Sequence, residues 1–185
     1  VYGGRMSTTL DGIDEQLGAL LMAQPMFFVG TAPRADDQLI NLSPKGLSGT
    51  FSVINDATVA YLDLTGSGIE TIAHVRENGR IILMFCAFEG RPNIVRLNGR
   101  GRVVLPGDLG FDDLMGRFDE HPGVRSIIVV DVTRVSESCG YGVPFMHLEG
   151  HRDVLDFSNA KKSPEGLAAY RADKNALSVD GLPGL

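Results

Sequence analysis

The chain has 185 residues, 43% of them hydrophobic and 22% charged, with a formal net charge of −6; this excludes a mainly disordered chain and suits one domain with a sizeable core. The acidic balance gives no general attraction to nucleic acid or to an anionic membrane, so any anion must be held by local groups. No stretch approaches the roughly 18 to 20 apolar residues that span a bilayer, and Cys86 and Cys139 lie far apart in the sequence, which fits a reducing cytoplasm.

The first five residues, VYGGR, precede Met6 and read as an extraneous leader. Leu10, Ile13, Leu17, Leu20 and Leu21 recur at three and four, the period of a helix face, until Pro25 stops it. MFFVGTA (26–32) and LINLS (39–43) are strand-like runs around a polar loop, and PKG breaks the second. FSVI and TVAYLDL flank the turn signal Asn55-Asp56-Ala57. TGSG then opens a short helix over 69–78, closed by Gly79. RIILMFCAF reads as a strongly apolar strand, and IVRLNGRGRVVL as one bulged or curled at its glycines. An acidic helix is expected within 106–121, a strand with Ile128, Val130, Val132 and Val135 inward, and a helix at 164–172. About six strands and four helices follow one another with few long crossovers, so a closed or partly closed antiparallel barrel is favoured over a parallel sheet. Residues 6–152 are expected to form the main domain with its N-terminal helix, and 153–185 a helical and loop extension packed on it or on a partner subunit.

The stretch LTGSGIETIAH (64–74) carries the densest chemistry. Ser67 and Glu70 have capping-box spacing, which explains those two residues. Gly66, Gly68 and Thr71 are left over, and a glycine-flanked helix start with free N–H groups is a natural anion site. Both readings stay open, because Glu70 would repel a phosphate unless it turns away or meets a cation. Lys45, in Ser43-Pro44-Lys45-Gly46, would be that cation if the two motifs face each other. His74 stands four residues after Glu70, on the same helix face, where the two can pair. His147, Glu149 and His151 would share one face of a strand, but chance placement is commoner and no metal is expected. Tyr141, in the glycine-rich CGYGVP, could stack on a planar ligand. No catalytic triad, P-loop or dinucleotide-binding glycine fingerprint is present.

Together INLSPKG, VAYLDLTGSGIETIAHVRENGRIILMFCAF, IVRLNGRGRVV, SCGYGVP and KNALSVDGLP resemble the pyridoxamine 5'-phosphate oxidase-like, FMN-binding split-barrel family, from about Met26 to the C-terminus. The resemblance implies a mainly β fold with flanking helices, a six-stranded antiparallel Greek-key split barrel. It also implies a cytoplasmic homodimer with the flavin between subunits, acting as an oxidoreductase on a small molecule. The FMN would lie along Asn41, Leu42, Ser43, Pro44 and Lys45, with its phosphate near Ser67, Gly68, Glu70, Thr71 and His74. The oxidases carry a basic pair where this chain has Glu70 and Thr71, so Ser43, Lys45, Ser67 and Thr71 are expected to compensate, with Arg76 or Arg96 adding charge. The oxidases also close their site with a tryptophan-containing C-terminal segment, and this chain has no tryptophan. The same scaffold serves deazaflavin-dependent reductases and non-enzymatic flavin or tetrapyrrole binders, which stay open as alternatives. No catalytic residue is assigned.

Overall fold

A computed structural model describes residues 8–185; the reading of VYGGR as a leader lies outside them. The elements in chain order are β1 (Thr8–Leu10), α1 (Glu15–Met22), β2 (Met26–Thr31), β3 (Asn41–Gly46), β4 (Phe51–Asn55), β5 (Thr58–Leu64), α2 (Glu70–Asn78), β6 (Arg80–Cys86), β7 (Ile94–Val104), α3 (Phe111–Met115), β8 (Val124–Ser138), α4 (Val154–Ala160) and α5 (Pro164–Lys174). The strands pair antiparallel in the order β3-β2-β6-β7-β8-β5-β4, with β1 added to the far end of β8. The sheet therefore has eight described strands rather than about six, and β1 is the one that no strand-like run announced. No described helix is long and apolar enough to cross a membrane.

The sheet curls on itself. Phe27 of β2 lies near one end of the strand order and Phe51 of β4 at the other, yet their ring centroids are 5.3 Å apart. Phe85 stacks on Phe27 at 5.1 Å and meets Phe51 edge-on at 5.0 Å, so β2, β4 and β6 converge on one aromatic cluster. Around it pack Val29, Leu83, Leu97, Ile128 and Val130, all fully buried. The opposite face of β8, Ile127 and Val129, is covered by a second cluster with Phe111, Leu114, Met115 and Phe118. Burial on both faces explains why SIIVVDV is continuous rather than alternating.

The curl depends on a bulge. Between β7 and β8 the register shifts at Asn98/Gly99, which face Arg134 and Val132 and leave Thr133 as the extra residue. This is why Val130 and Val132, then Val135, all turn toward the main core. A Cβ on Gly99 would stand 2.4 Å from the Asp131 carbonyl oxygen, so only glycine fits.

Several local expectations are corrected. The first helix begins at Glu15, where Asp14 caps it by accepting the Leu17 N–H at 2.8 Å, and Leu10 belongs to β1. The expected 106–121 helix shrinks to α3, bounded by Gly110 at φ +82° and by Gly116. Pro44 does not break β3, because β3 is an edge strand and can lose an N–H. α4 was not expected. Helix α2, packed on β2, β6 and β7, ends as expected on Gly79, at φ +69°.

Gly99→Ala is expected to destabilise the fold by about 1–3 kcal/mol, by overpacking against the β8 backbone. Urea unfolding reads this directly, and an unchanged midpoint would mean that the bulge does not constrain the curl.

Candidate functional site

Strand β3 and the turn before α2 face each other across a cavity of about 630 Å³, well within the size range of small-ligand sites. Ser43, Pro44 and Lys45 line one side, and Gly66, Gly68, Glu70 and Thr71 the other. Phe88, Met146 and Leu148 from loops, with Leu155 of α4, add an apolar cover from outside the sheet. The two motifs that the sequence left separate thus share one space. Of the expected residues, Leu42 points outward and is 68% exposed. Ser67 is exposed and does not line the cavity, though the glycines on either side of it do. Asn41 and His74 lie behind the wall rather than on it.

Asp63 sits beneath the turn, completely buried at the end of β5. Arg125, at the start of β8 and 3% exposed, grips it with Nε to Oδ2 at 2.7 Å and Nη2 to Oδ1 at 3.1 Å. Its remaining nitrogen, Nη1, donates to the Gly66 and Gly68 carbonyls at 3.3 and 3.0 Å and to Asn175 Oδ1 at 2.9 Å. Because a trans peptide holds C=O and N–H on opposite sides, drawing these carbonyls toward Arg125 turns the Ser67 N–H away from it. The C-terminal residues complete the clamp. Asn175 Nδ2 donates to the Gly66 carbonyl at 2.9 Å, Asn159 to the Thr65 carbonyl at 3.1 Å, and Arg171 Nε to the Thr65 hydroxyl at 2.9 Å.

Lys45 reaches across the cavity floor to Asp63 Oδ1 at 3.3 Å and lies over the Tyr61 ring. Two of its three ammonium hydrogens remain for a ligand. Burial alone would raise the Asp63 carboxyl, but Lys45 and Arg125 outweigh it and hold the group below the ordinary carboxylate range. One buried anion faces two cations, so the floor is cationic without a free charge in the core.

The helix start differs from the expected capping box. The N-cap position is Ile69, with no side chain capping it, and Ser67 lies outside the helix. Glu70 keeps the reciprocal half of the motif: its Oε2 accepts the Ile69 N–H at 3.0 Å. A Cβ on Gly68 would stand 3.3 Å from that oxygen, so glycine leaves room for the carboxylate to fold back. Glu70 does not pair with His74, which is fully buried with Nδ1 3.0 Å from the Thr31 hydroxyl. Burial pushes the His74 imidazole pKa down, against Glu70, Glu77 and Asp180. Arg76 bonds the Gly184 carbonyl and Arg96 the Ser138 hydroxyl, so neither adds charge to this cavity. The 139–153 segment is irregular rather than a strand; His147 pairs with Glu89 at 2.8 Å, and no group of three metal-ligating side chains occurs among the described residues.

Sequence reasoning passed over Asp63, Arg125 and Asn175. The signal was a single charge inside each of two apolar runs, YLDL and VRSIIVV: ionised residues on buried strands have to find each other.

Asp63→Asn is expected to cost about 3–5 kcal/mol at pH 7, since it leaves Arg125 buried without its partner. The unfolded carboxyl titrates near pH 4 and the folded one lower, so the wild-type advantage is complete above about pH 4 and fades as pH falls through the folded value. Urea unfolding of both proteins between pH 7 and 3 checks the sign; a constant difference would refute it.

Comparison with known proteins places this architecture. The sequence profile of the pyridoxamine 5'-phosphate oxidase family matches residues 13–139. The pyridoxamine 5'-phosphate oxidase family protein ustO of Aspergillus flavus is 37% identical over 191 residues, covering 95% of this chain and 76% of that protein. Among solved structures, HupZ of Group A Streptococcus is similar with a TM-score of 0.50 and 21% identity, covering 66% of this chain and 91% of that one. An FAD-binding protein of Mycobacterium smegmatis is similar with a TM-score of 0.50 and 18% identity, covering 70% and 95%. Both structural likenesses are of fold, and they agree with the mainly β, curled antiparallel sheet with flanking helices expected of a split barrel. With the profile spanning more than half of the chain and ustO aligned over nearly all of it, the chain belongs to the pyridoxamine 5'-phosphate oxidase family.

Proposed function

We propose that the protein binds FMN in the cavity between β3 and the TGSG turn and acts as a flavin-dependent oxidoreductase on a small molecule. The observation that carries the proposal is the meeting of Ser43-Pro44-Lys45 with Gly68-Glu70-Thr71 around one cationic floor. A dianionic phosphate fits the Lys45 and Thr71 end, where a cation, a hydroxyl and the start of a nine-residue helix converge. Of the two carboxylates at the cavity, Asp63 is paired with Lys45 and Arg125, and Glu70 is turned onto the Ile69 N–H. The apolar wall from Pro25, Met26 and Phe88 suits a planar ring. The family and the FAD-binding description of the M. smegmatis neighbour support a flavin. When bound, the flavin supplies electron transfer, while the protein's residues hold and orient it and keep water from its ring.

We also propose a homodimer with the flavin at the subunit boundary. Leu39, Ile40 and Leu42 are 62 to 79% exposed, and the Leu39 N–H bonds Asp180, next to the similarly exposed Val179. These exposed apolar side chains flank the strand that lines the cavity. The 153–185 tail serves as the clamp of the TGSG turn.

Purified protein is expected to be yellow or to take up FMN on titration; failure to bind FMN, or tighter binding of a deazaflavin, would overturn the cofactor assignment. Ser43→Ala with Lys45→Ala is expected to weaken FMN binding at least tenfold, and by more than His147→Ala, whose exposed imidazole borders the same cavity on the opposite side from β3; equal effects would refute the site. Light scattering is expected to give a dimer that Ile40→Asp with Leu42→Asp converts to monomer; a wild-type monomer would remove the interface.

A further inference from the structure

Behind the cavity wall a chain of hydrogen bonds runs from His74 to the two hydroxyls that line the space. His74 Nδ1 lies 3.0 Å from Thr31 Oγ1. Asn41 Nδ2 donates to Thr31 Oγ1 at 3.0 Å and to Thr71 Oγ1 at 3.1 Å, which uses both of its hydrogens. Ser43 Oγ donates to Asn41 Oδ1 at 2.8 Å. His74, Thr31 and Thr71 are 0, 4 and 6% exposed, and only Thr71 and Ser43 touch the cavity.

Such a chain has a direction, and the ring at its end sets it. With Nδ1 as acceptor, Thr31 receives from Asn41 and passes its own hydrogen to His74. One polar hydrogen, on His74 Nε2, is then left without a partner among the described residues. With the hydrogen on Nδ1, directed at Thr31, the chain has to reverse: the Asn41 amide turns over, Thr31 and Thr71 donate to its oxygen and its nitrogen donates to Ser43, and two groups are stranded instead, the second amide hydrogen of Asn41 and the His74 Nε2 lone pair. Leaving buried polar groups unmade costs roughly 1–3 kcal/mol each, so the first arrangement prevails. The acidic groups facing the ring are Glu70, Glu77 and Asp180; with the Thr31 backbone they favour a charged imidazole, while burial, the largest influence, opposes it.

We infer that His74 is a positioning residue, its Nε2–H tautomer directing the chain so that Thr71 presents a hydroxyl hydrogen, and Ser43 a lone pair, to the ligand. The Thr71 hydroxyl, already accepting from Asn41, has its own hydrogen free for the cavity, and Ser43, whose hydrogen goes to Asn41, can there only accept. The site therefore selects a ligand with an acceptor oxygen, such as a phosphoryl group, opposite Thr71 and an N–H or O–H donor opposite Ser43. A ligand with these two groups exchanged meets donor against donor and acceptor against acceptor. For FMN this rests on the cofactor reading above; the direction of the chain does not.

Two experiments separate these parts. Long-range ¹H–¹⁵N spectra of the imidazoles need no flavin, and in the wild-type protein His74 is expected as the Nε2–H tautomer from pH 6 to 8. An Nδ1–H tautomer or a charged ring over that range would overturn the inference. Asn41→Asp, which can only accept, is expected to force Thr31 to donate to it and to switch His74 to Nδ1–H; an unchanged His74 would refute the coupling. In FMN titrations, His74→Gln is expected to weaken binding about tenfold in the wild-type background, and less than twofold once Thr71→Val has removed the hydroxyl. Equal losses in both backgrounds would mean that His74 acts on the fold at large and would overturn the positioning role.

Discussion

The buried pair of Asp63 and Arg125 is the constraint on which the site depends. A carboxylate and a guanidinium with almost no exposure would each cost several kcal/mol alone, and together they add little net stability over an apolar pair. What they supply is position. The bidentate grip fixes the guanidinium plane, and its third nitrogen then draws two carbonyls of the TGSG turn and the Asn175 side chain toward one point. The same carboxylate holds Lys45 from across the cavity. One ion pair therefore sets the distance between the two motifs that face the cavity, and through Asn175 ties the end of the tail to the turn.

Backbone geometry was the most legible feature of the sequence. The NGRG segment of β7 announced a bulge, and Gly99 sits at a register shift where no side chain fits. Gly79 was recognisable as a helix stop because a left-handed residue after a polar turn is almost always glycine. The extent of α3 was not legible: the 106–121 window has helical spacing, but Gly110 and Gly116 confine regular structure to five residues. Propensity is too weak a force to decide such a window without its tertiary partners.

The site was legible by halves. SPKG and TGSG were each visible as chemistry, and their pairing could be posed as a question; the distance between them depends on the curl of the sheet, which no local pattern encodes. Ser67 and Glu70 illustrate the limit. Their spacing fits a capping box, yet Gly66 and Gly68 are pulled down onto Arg125 and the helix starts later, so Glu70 keeps its backbone bond while Ser67 loses its partner. His74 was visible only as Glu70's neighbour one turn on. Burial against β2 turns it inward to Thr31, a strand partner 43 residues distant in sequence.

The central claim is that SPKG and TGSG form one phosphate-holding site around a cationic floor. Competitive titration of FMN against riboflavin, which lacks only the phosphate, measures this most directly. At moderate salt the account predicts that FMN binds at least tenfold more tightly, about 1.4 kcal/mol or more, and that Lys45→Ala removes most of the difference. Equal affinities for the two flavins in the wild-type protein would contradict it.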